Sequence, residues 1–203
     1  MTIDTKDMLN SILSSISRID YVKADDIPNI DLYMDQVTTF MEEGLRSSKR
    51  HEEDKILTKT MINNYAKNNL LPPPVKKKYS KEHVLIMIFI YYFKSILSIK
   101  DIETLLTPLT EKYFDTDHEL DIAAIYEEVC KTEKSRINAM QKDVARSYHT
   151  ALESFPESSG EEREYLQLFS FICSLSFDVY VKKLLIEKLI DELPEPKHEK
   201  KKK

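Results

Sequence analysis

The chain contains almost no glycine, since only Gly44 and Gly160 occur among its 203 residues. Loops that cradle phosphates, such as GxGxxG and the P-loop, need several glycines, so a nucleotide-binding α/β fold is disfavoured. The chain is 41% hydrophobic and 32% charged, and its many Leu, Ile, Lys and Glu residues suit helices. We therefore expect a mainly α-helical protein with a hydrophobic core.

Charge is distributed unevenly along the chain. The segment 55–81, KILTKTMINNYAKNNLLPPPVKKKYSK, contains seven lysines and no acid, whereas the whole chain has a formal net charge of -5. A cationic segment within an acidic chain is typical of a surface that binds an anion, and nucleic acid is the commonest macromolecular anion.

Apolar periodicity and capping residues predict the helices of the first third of the chain. A helix is expected at 5–20, and a second from about Asp31 with Gly44 available as its C-cap. Thr58 is a suitable N-cap for a third helix, which should end near Asn68 because asparagine tolerates the left-handed conformation.

Prolines and serines divide the next segment. The run Pro72–Pro74 prevents the third helix from continuing, and an extended VKKKY segment is expected after it. An apolar helix at 80–97 can be capped by its first serine, with His83 in its first turn. Ser98 begins a capping-box pattern for a short helix that ends before Pro108.

The remaining residues predict two long helical tracts, at about 119–155 and 161–193. Within the second tract, Tyr165–Phe177 contains no charged residue. An uncharged stretch of this width indicates either a central core helix or a subunit interface.

The third helix offers a polar face that suits nucleic acid. Met61, Ile62, Tyr65 and Ala66 should form its buried side, and Thr60, Asn63, Asn64 and Lys67 its exposed side. In the major groove, asparagine can bond adenine, threonine can contact a thymine methyl group, and lysine can reach a guanine edge or a phosphate. The residues expected to neutralise phosphates are Lys59, Lys76, Lys77, Lys78 and Lys81. An ordinary solvated surface is the alternative interpretation of both groups.

The order of these segments resembles the MerR-type winged helix. That pattern ends its recognition helix in Gly-Leu-Leu-x-Pro, continues through a wing of Arg-x-Tyr-Ser type, and later contains Gly-x-Ser-Leu-x-x-Ile. The residues at corresponding places are Leu70, Leu71, Pro73, Tyr79, Ser80, Ser98 and Ile102. The resemblance implies a DNA-binding winged helix-turn-helix.

More closely, three segments look like a bacterial family catalogued as a domain of unknown function, numbered 1836: LYMDQV at 32–37, LTKTMINNYAKN at 57–68 and PPPVKKKYSKEH at 72–83. The chain departs from the MerR pattern where Asn63 and Asn64 replace an Arg-Tyr pair. Lys77 also stands in place of the wing arginine, and lysine lacks the bidentate fork of arginine.

Signals for catalysis, cofactors and metals are weak. The chain has no GxSxG motif, no Cys/His motif and no conspicuous carboxylate pair, so we expect a non-enzyme without a cofactor. Cys130 and Cys173 are expected to be buried free thiols. One group of potential metal ligands is better explained as a turn followed by acids at a helix start; it comprises Asp115, Asp117, His118, Glu119 and Asp121.

Membrane insertion is not expected. The longest apolar run, Val84–Phe93, has ten residues, and a bilayer-spanning helix needs roughly 20. The first residues lack the basic and apolar regions of a signal peptide, which predicts a cytoplasmic protein.

These observations predict a mainly α protein in which a winged helix-turn-helix (MerR-like) domain at 28–107 precedes a C-terminal helical bundle at 108–193. The helix within 1–27 should pack on the bundle, and 194–203 should form a disordered basic tail.

The function favoured is that of a DNA-binding transcriptional regulator that places helix 58–68 in the major groove and the basic wing 75–81 on the phosphate backbone. Its partners would be double-stranded DNA and a second copy, bound through Tyr165–Phe177, because two-fold proteins match palindromic sites. The alternative is a protein-interaction module that keeps a helix-turn-helix-like core and binds an acidic partner, or its own acidic helices, through its lysines. No motif supports a small-molecule effector.

Overall fold

The computed structural model of the protein describes residues 5–16, 22–116 and 118–194. These residues form mainly α-helices, as predicted, together with one small antiparallel sheet. The α-helices are α1 (Thr5–Ile16), α2 (Met34–Gly44), α3 (Lys59–Lys67), α4 (Lys81–Phe93), α5 (Ile99–Tyr113), α6 (Ile122–Leu152) and α7 (Gly160–Asp191). The strands are β1 (Leu32–Tyr33) and β2 (Lys78–Tyr79), and short 3₁₀ helices lie at Ala24–Asp26 and Arg46–Ser48.

The chain divides into two compact units. Among the described residues, the larger unit consists of residues 22–116, 118–130 and 186–194, and the smaller unit of residues 5–16 and 131–185. Helices α6 and α7 each contribute residues to both units. The expected basic tail lies outside the described residues, apart from Pro194.

Helix α4 forms the centre of the larger unit. Its residues from His83 to Ile88 are all buried, because the helix is apolar on nearly every side. Val37 and Met41 of α2 and Ile62 and Tyr65 of α3 belong to the same hydrophobic cluster. This arrangement leaves the opposite faces of α2 and α3 for solvent or a partner.

Both ends of α3 follow the local signals of the sequence. The Thr58 hydroxyl accepts the backbone N–H of Met61 at 3.2 Å, which caps the first turn. At the other end, Asn69 has φ +55° and the Leu70 N–H donates to the Tyr65 carbonyl at 2.9 Å. This is the Schellman arrangement that satisfies the last carbonyls of a helix.

The predicted helix end before Pro108 is wrong, because α5 continues through this proline to Tyr113. Proline removes one backbone N–H, but Leu106, Leu109 and Tyr113 on both sides of it pack on the core. The Thr110 hydroxyl also donates to the Leu106 carbonyl at 3.2 Å. Apolar burial therefore offsets the local cost of proline.

The prediction that Gly44 caps α2 is also wrong. Gly44 is the last residue of the helix, and Leu45 is its C-cap with φ -111°. A Cβ atom at Gly44 would lie 3.0 Å from Val22 Cγ2. Glycine at this position therefore permits the close approach of Val22.

The smaller unit has its own hydrophobic cluster. Leu9 of α1 packs with Tyr148 and Ala151 of α6 and with Phe171 of α7. The rings of Tyr148 and Phe171 meet edge to face, with centroids 5.4 Å apart. The Gln141 side chain also donates to the Leu13 carbonyl at 3.2 Å. These contacts hold α1 against α6 and α7.

The cysteines differ from the expectation of two buried thiols. Both are free, but Cys130 is only half-buried and Cys173 is exposed. Among the described residues, no helix combines the length and apolar character needed to cross a membrane.

Candidate nucleic-acid interface

Helix α3 separates its polar and apolar residues onto two sides. Thr60, Asn63, Asn64 and Lys67 are all exposed, whereas Ile62 and Tyr65 are buried in the core. Threonine and asparagine, unlike a purely charged surface, offer both hydrogen-bond donors and acceptors at fixed positions. The exposed side of α3 therefore presents hydrogen-bond donors and acceptors to solvent or to a partner.

The VKKKY segment is a tight hairpin turn rather than the extended strip predicted. The Val75 N–H donates to the Lys78 carbonyl at 3.1 Å, and the Lys78 N–H donates to the Val75 carbonyl at 2.9 Å. Between them, Lys76 and Lys77 have φ +50° and +65°. Two central residues with positive φ define a type I′ turn, whose twist suits a β-hairpin.

The sheet anchors this hairpin to the rest of the larger unit. Strands β1 and β2 pair antiparallel, with Leu32 opposite Tyr79 and Tyr33 opposite Lys78. Leu32 and Tyr79 are both buried in the core cluster. The tip at Lys76 and Lys77 thus projects from a base that is packed into the protein.

The lysines of the segment have different surroundings. Lys76 and Lys77 are exposed at the tip, whereas Lys78 is half-buried with its ammonium 5.1 Å from the centroid of the Tyr33 ring. Lys81 is half-buried in the first turn of α4. Lys59 forms an ion pair with Asp35 at the start of α2. The predicted phosphate-binding lysines therefore separate into exposed, half-buried and paired groups.

Asp35 is a component of this surface that the sequence analysis missed. It lies in the first turn of α2 and is exposed, yet it neutralises part of the charge of Lys59. The two residues are far apart in the sequence, and no local pattern signals their pairing. Only the packing of α2 against α3 brings them together.

Tyr65 and Tyr79 lie beneath this surface and are part of the hydrophobic core. Burial raises the pKa of both Tyr65 and Tyr79 above the ordinary value for a phenol. A phenol is neutral at physiological pH even without this shift, so neither side chain provides an anion that would repel a phosphate.

His83 contributes to the N-terminal cap of α4, immediately after the hairpin. Its Nδ1 accepts the Ser80 N–H at 3.0 Å, and its ring packs edge to face against Tyr79 and Phe114. Burial lowers the pKa of His83, and the backbone of Pro73 offsets this only in part. The position of His83 in this turn was expected from the sequence, but its capping hydrogen bond was not.

One of the acidic residues at 115–121 caps a helix. The Asp121 carboxylate accepts the Ala124 N–H at 2.8 Å, which caps the start of α6. Among the described residues, no group of three potential metal ligands comes together. Asp117, which belongs to the same predicted group, lies outside the described residues.

Taken together, the described residues between 22 and 129 form a mainly helical domain in which α3 and the hairpin after it present polar and cationic side chains. The chain belongs to the family described as Domain of unknown function (DUF1836), whose family model matches residues 22–129. Searches of curated proteins and of solved structures found no significant match.

Proposed function

We propose that the larger unit is a winged helix-turn-helix DNA-binding domain of MerR-like type, and that the protein is a cytoplasmic transcriptional regulator. The observation that carries this proposal is the arrangement of α3 and the hairpin tip. Both come from the acid-free segment 55–81, and both are anchored in one hydrophobic core through Tyr65 and Tyr79.

The order of elements supports the winged-helix interpretation. Strand β1 precedes α2 and α3, the hairpin follows, and α4 completes the core. In this type of domain the first helix of the pair supports the second, which enters the major groove. We assign the supporting role to α2 and the reading role to α3.

Side chains on α3 would read the bases. Asn63 and Asn64 can each donate to and accept from an adenine edge, and Thr60 can contact a thymine methyl group. All three are exposed, so they can contact a groove without a change in the fold.

Four lysines at this surface form no ion pair within the part of the chain that the structure describes, and these would contact phosphates. They are Lys67, Lys76, Lys77 and Lys81. Lys78 is held over the Tyr33 ring, and Lys59 is paired with Asp35, so both would have to give up an existing contact. Four phosphate contacts predict that log K falls with log salt at a slope of about -3 to -4.

Fluorescence-anisotropy titration of the full chain against duplex DNA, at several salt concentrations, tests the proposal. The Asn63→Ala and Asn64→Ala double variant should lose discrimination between sequences and keep the salt slope, because neither side chain is charged. Lys23→Gln is a suitable control, since Lys23 is an exposed lysine outside segment 55–81. No binding by micromolar protein at about 50 mM salt would contradict the proposal.

A protein-interaction module is the second candidate, and the Lys59–Asp35 ion pair favours it. This pair places a carboxylate beside the lysines, and a surface of mixed sign suits a protein partner better than a polyanion. Such a module would not bind DNA in the titration but would bind an acidic peptide. Loss of that binding in the Lys76→Asn and Lys77→Gly double variant would support this candidate.

A further inference from the structure

Helix α7 carries a row of exposed apolar side chains within the smaller unit. The row consists of Tyr165, Phe169, Ile172, Phe177, Tyr180 and Leu184. The opposite side of the helix packs through Phe171 and Leu175 onto the cluster with Leu9. The exposed row is therefore separate from Phe171 and Leu175, although the later part of α7 also exposes Val179, Val181 and Leu185 on its other sides.

The size of this row exceeds what an ordinary solvated helix exposes. Tyr165 is 66% exposed, Phe177 65%, Tyr180 60% and Phe169 52%. At about 200 Å² per aromatic side chain, these four rings expose on the order of 500 Å². Two such faces offer roughly 1,000 Å² before Ile172 and Leu184 are included, and a stable protein interface buries about 1,200–2,000 Å².

The charges at the two ends of the row favour a second copy of the chain as its binding partner. The start of α7 carries Glu161, Glu162, Arg163 and Glu164, a net charge of -2, and Tyr165–Phe177 is uncharged. The residues that follow within the smaller unit include Asp178, Lys182 and Lys183, a net charge of +1. A second α7 running antiparallel brings the acidic end of one helix to the basic end of the other. A parallel pair would place like charges together.

We propose that the protein forms a two-fold homodimer in which the exposed rows of two α7 helices pack antiparallel, crossing between Ile172 and Cys173. In this register Tyr165 lies opposite Tyr180 of the second copy. Glu162 lies opposite Lys183 of the second copy, and each such contact occurs twice, as an isologous interface requires.

The aromatic side chains are already arranged for this contact. Tyr165 and Phe169 stack with their centroids 6.4 Å apart, and Phe177 and Tyr180 also lie 6.4 Å apart. Both pairs are one turn apart on the helix and present their outer faces to solvent. Because their positions are set within one copy, association has less side-chain freedom to restrict.

The mass of the full chain in solution tests the dimer. We expect a dimer at tens of micromolar, and a monomer for Phe169→Glu with unchanged helicity and melting temperature, because Phe169 is exposed. Ile30→Glu is the matched control, since Ile30 is 67% exposed in the larger unit and should leave the dimer intact. A monomeric wild-type chain would overturn the proposal, whether or not that monomer binds lipid vesicles or another protein. A dimeric Phe169→Glu variant would also overturn it.

Charge exchange tests the antiparallel orientation. Glu162→Lys and Lys183→Glu should each weaken the dimer about fivefold or more, because each dimer contains two of these pairs. The double variant should recover the wild-type affinity, since it restores opposite charges across the interface. Failure of this recovery would overturn the antiparallel arrangement.

Native Cys173 provides an independent probe of the crossing point. A short bis-maleimide should link two wild-type copies and should not link Cys173→Ser copies. Cys130→Ser should behave as wild type. Unchanged linking in the Cys173→Ser variant would contradict the proposed crossing point. These outcomes do not depend on DNA binding.

Discussion

The backbone N–H of Ser80 donates to Nδ1 of His83 at 3.0 Å, so the neutral imidazole carries its proton on Nε2. Nε2 is itself buried and makes no hydrogen bond of normal geometry among the described residues. The ring therefore caps α4 only in its neutral form, because protonation would turn the accepting Nδ1 into a donor.

The first prediction is that stability decreases as the pH falls below about 6.5, the ordinary pKa of an unfolded histidine. Burial lowers the pKa of His83 in the folded state. The unfolded chain therefore binds the proton first, and the stability present above pH 6.5 is lost as the pH falls towards the folded-state pKa. Urea denaturation between pH 7.5 and 5 measures this change.

His83→Gln is the matched variant for this pH dependence. Glutamine can accept the Ser80 N–H at the same capping position but does not titrate. Its stability should decrease less than that of the wild type over this pH range. Identical profiles for the two proteins would exclude His83 as the titrating group.

The second prediction concerns the hairpin tip. Lys76 and Lys77 occupy the left-handed region, which favours Asn and Gly. The Lys76→Asn and Lys77→Gly double variant should therefore stabilise the protein by about 1 kcal/mol. If the hairpin contacts DNA, the same variant should weaken binding and make the salt slope shallower by about 2. A more stable protein with an unchanged slope would exclude the tip from the interface.

The third prediction is that Gly44→Ala destabilises the protein by about 1 kcal/mol, although alanine normally favours helices. The new Cβ would lie 3.0 Å from Val22 Cγ2. Val22 has little room to move, because it is buried and the Tyr126 hydroxyl donates to its carbonyl at 2.6 Å. In a Val22→Ala background, Gly44→Ala should become neutral or stabilising. Thermal denaturation of the wild type, the two single variants and the double variant measures the coupling between the two positions.

The fourth prediction is that Thr58→Ala costs about 1 kcal/mol in the free energy of unfolding, because the Met61 N–H loses its acceptor. Thr58→Ser keeps a hydroxyl at the same position and should retain most of the stability. Chemical denaturation compares the three proteins. Equal loss in both variants would show that the methyl group, rather than the cap, is responsible.

Several parts of the fold could be predicted because their causes are local. Thr58 and Asn69 bound α3 through hydrogen bonds and backbone preferences within a few residues. The polar side of α3 could be predicted for the same reason, since helical spacing alone groups Thr60, Asn63 and Lys67. The role of this surface stays a prediction.

Other features required the folded core. Pro108 is a local reason to end a helix, yet α5 continues because Leu106 is buried and Leu109 is partly buried against the same core. The VKKKY segment contains no glycine or asparagine, so its sequence did not indicate the left-handed turn at Lys76 and Lys77. Pairing of β2 with β1 accompanies that turn.

By itself, the sequence determined a mainly helical protein, the ends of α3 and the concentration of lysine in one acid-free segment. Each depends on residue type and near neighbours. The tertiary structure decided which lysines are exposed, that Asp35 pairs with Lys59, and that His83 is buried as a neutral cap. These outcomes depend on packing between residues distant in the chain, where the burial of apolar side chains outweighs local preference.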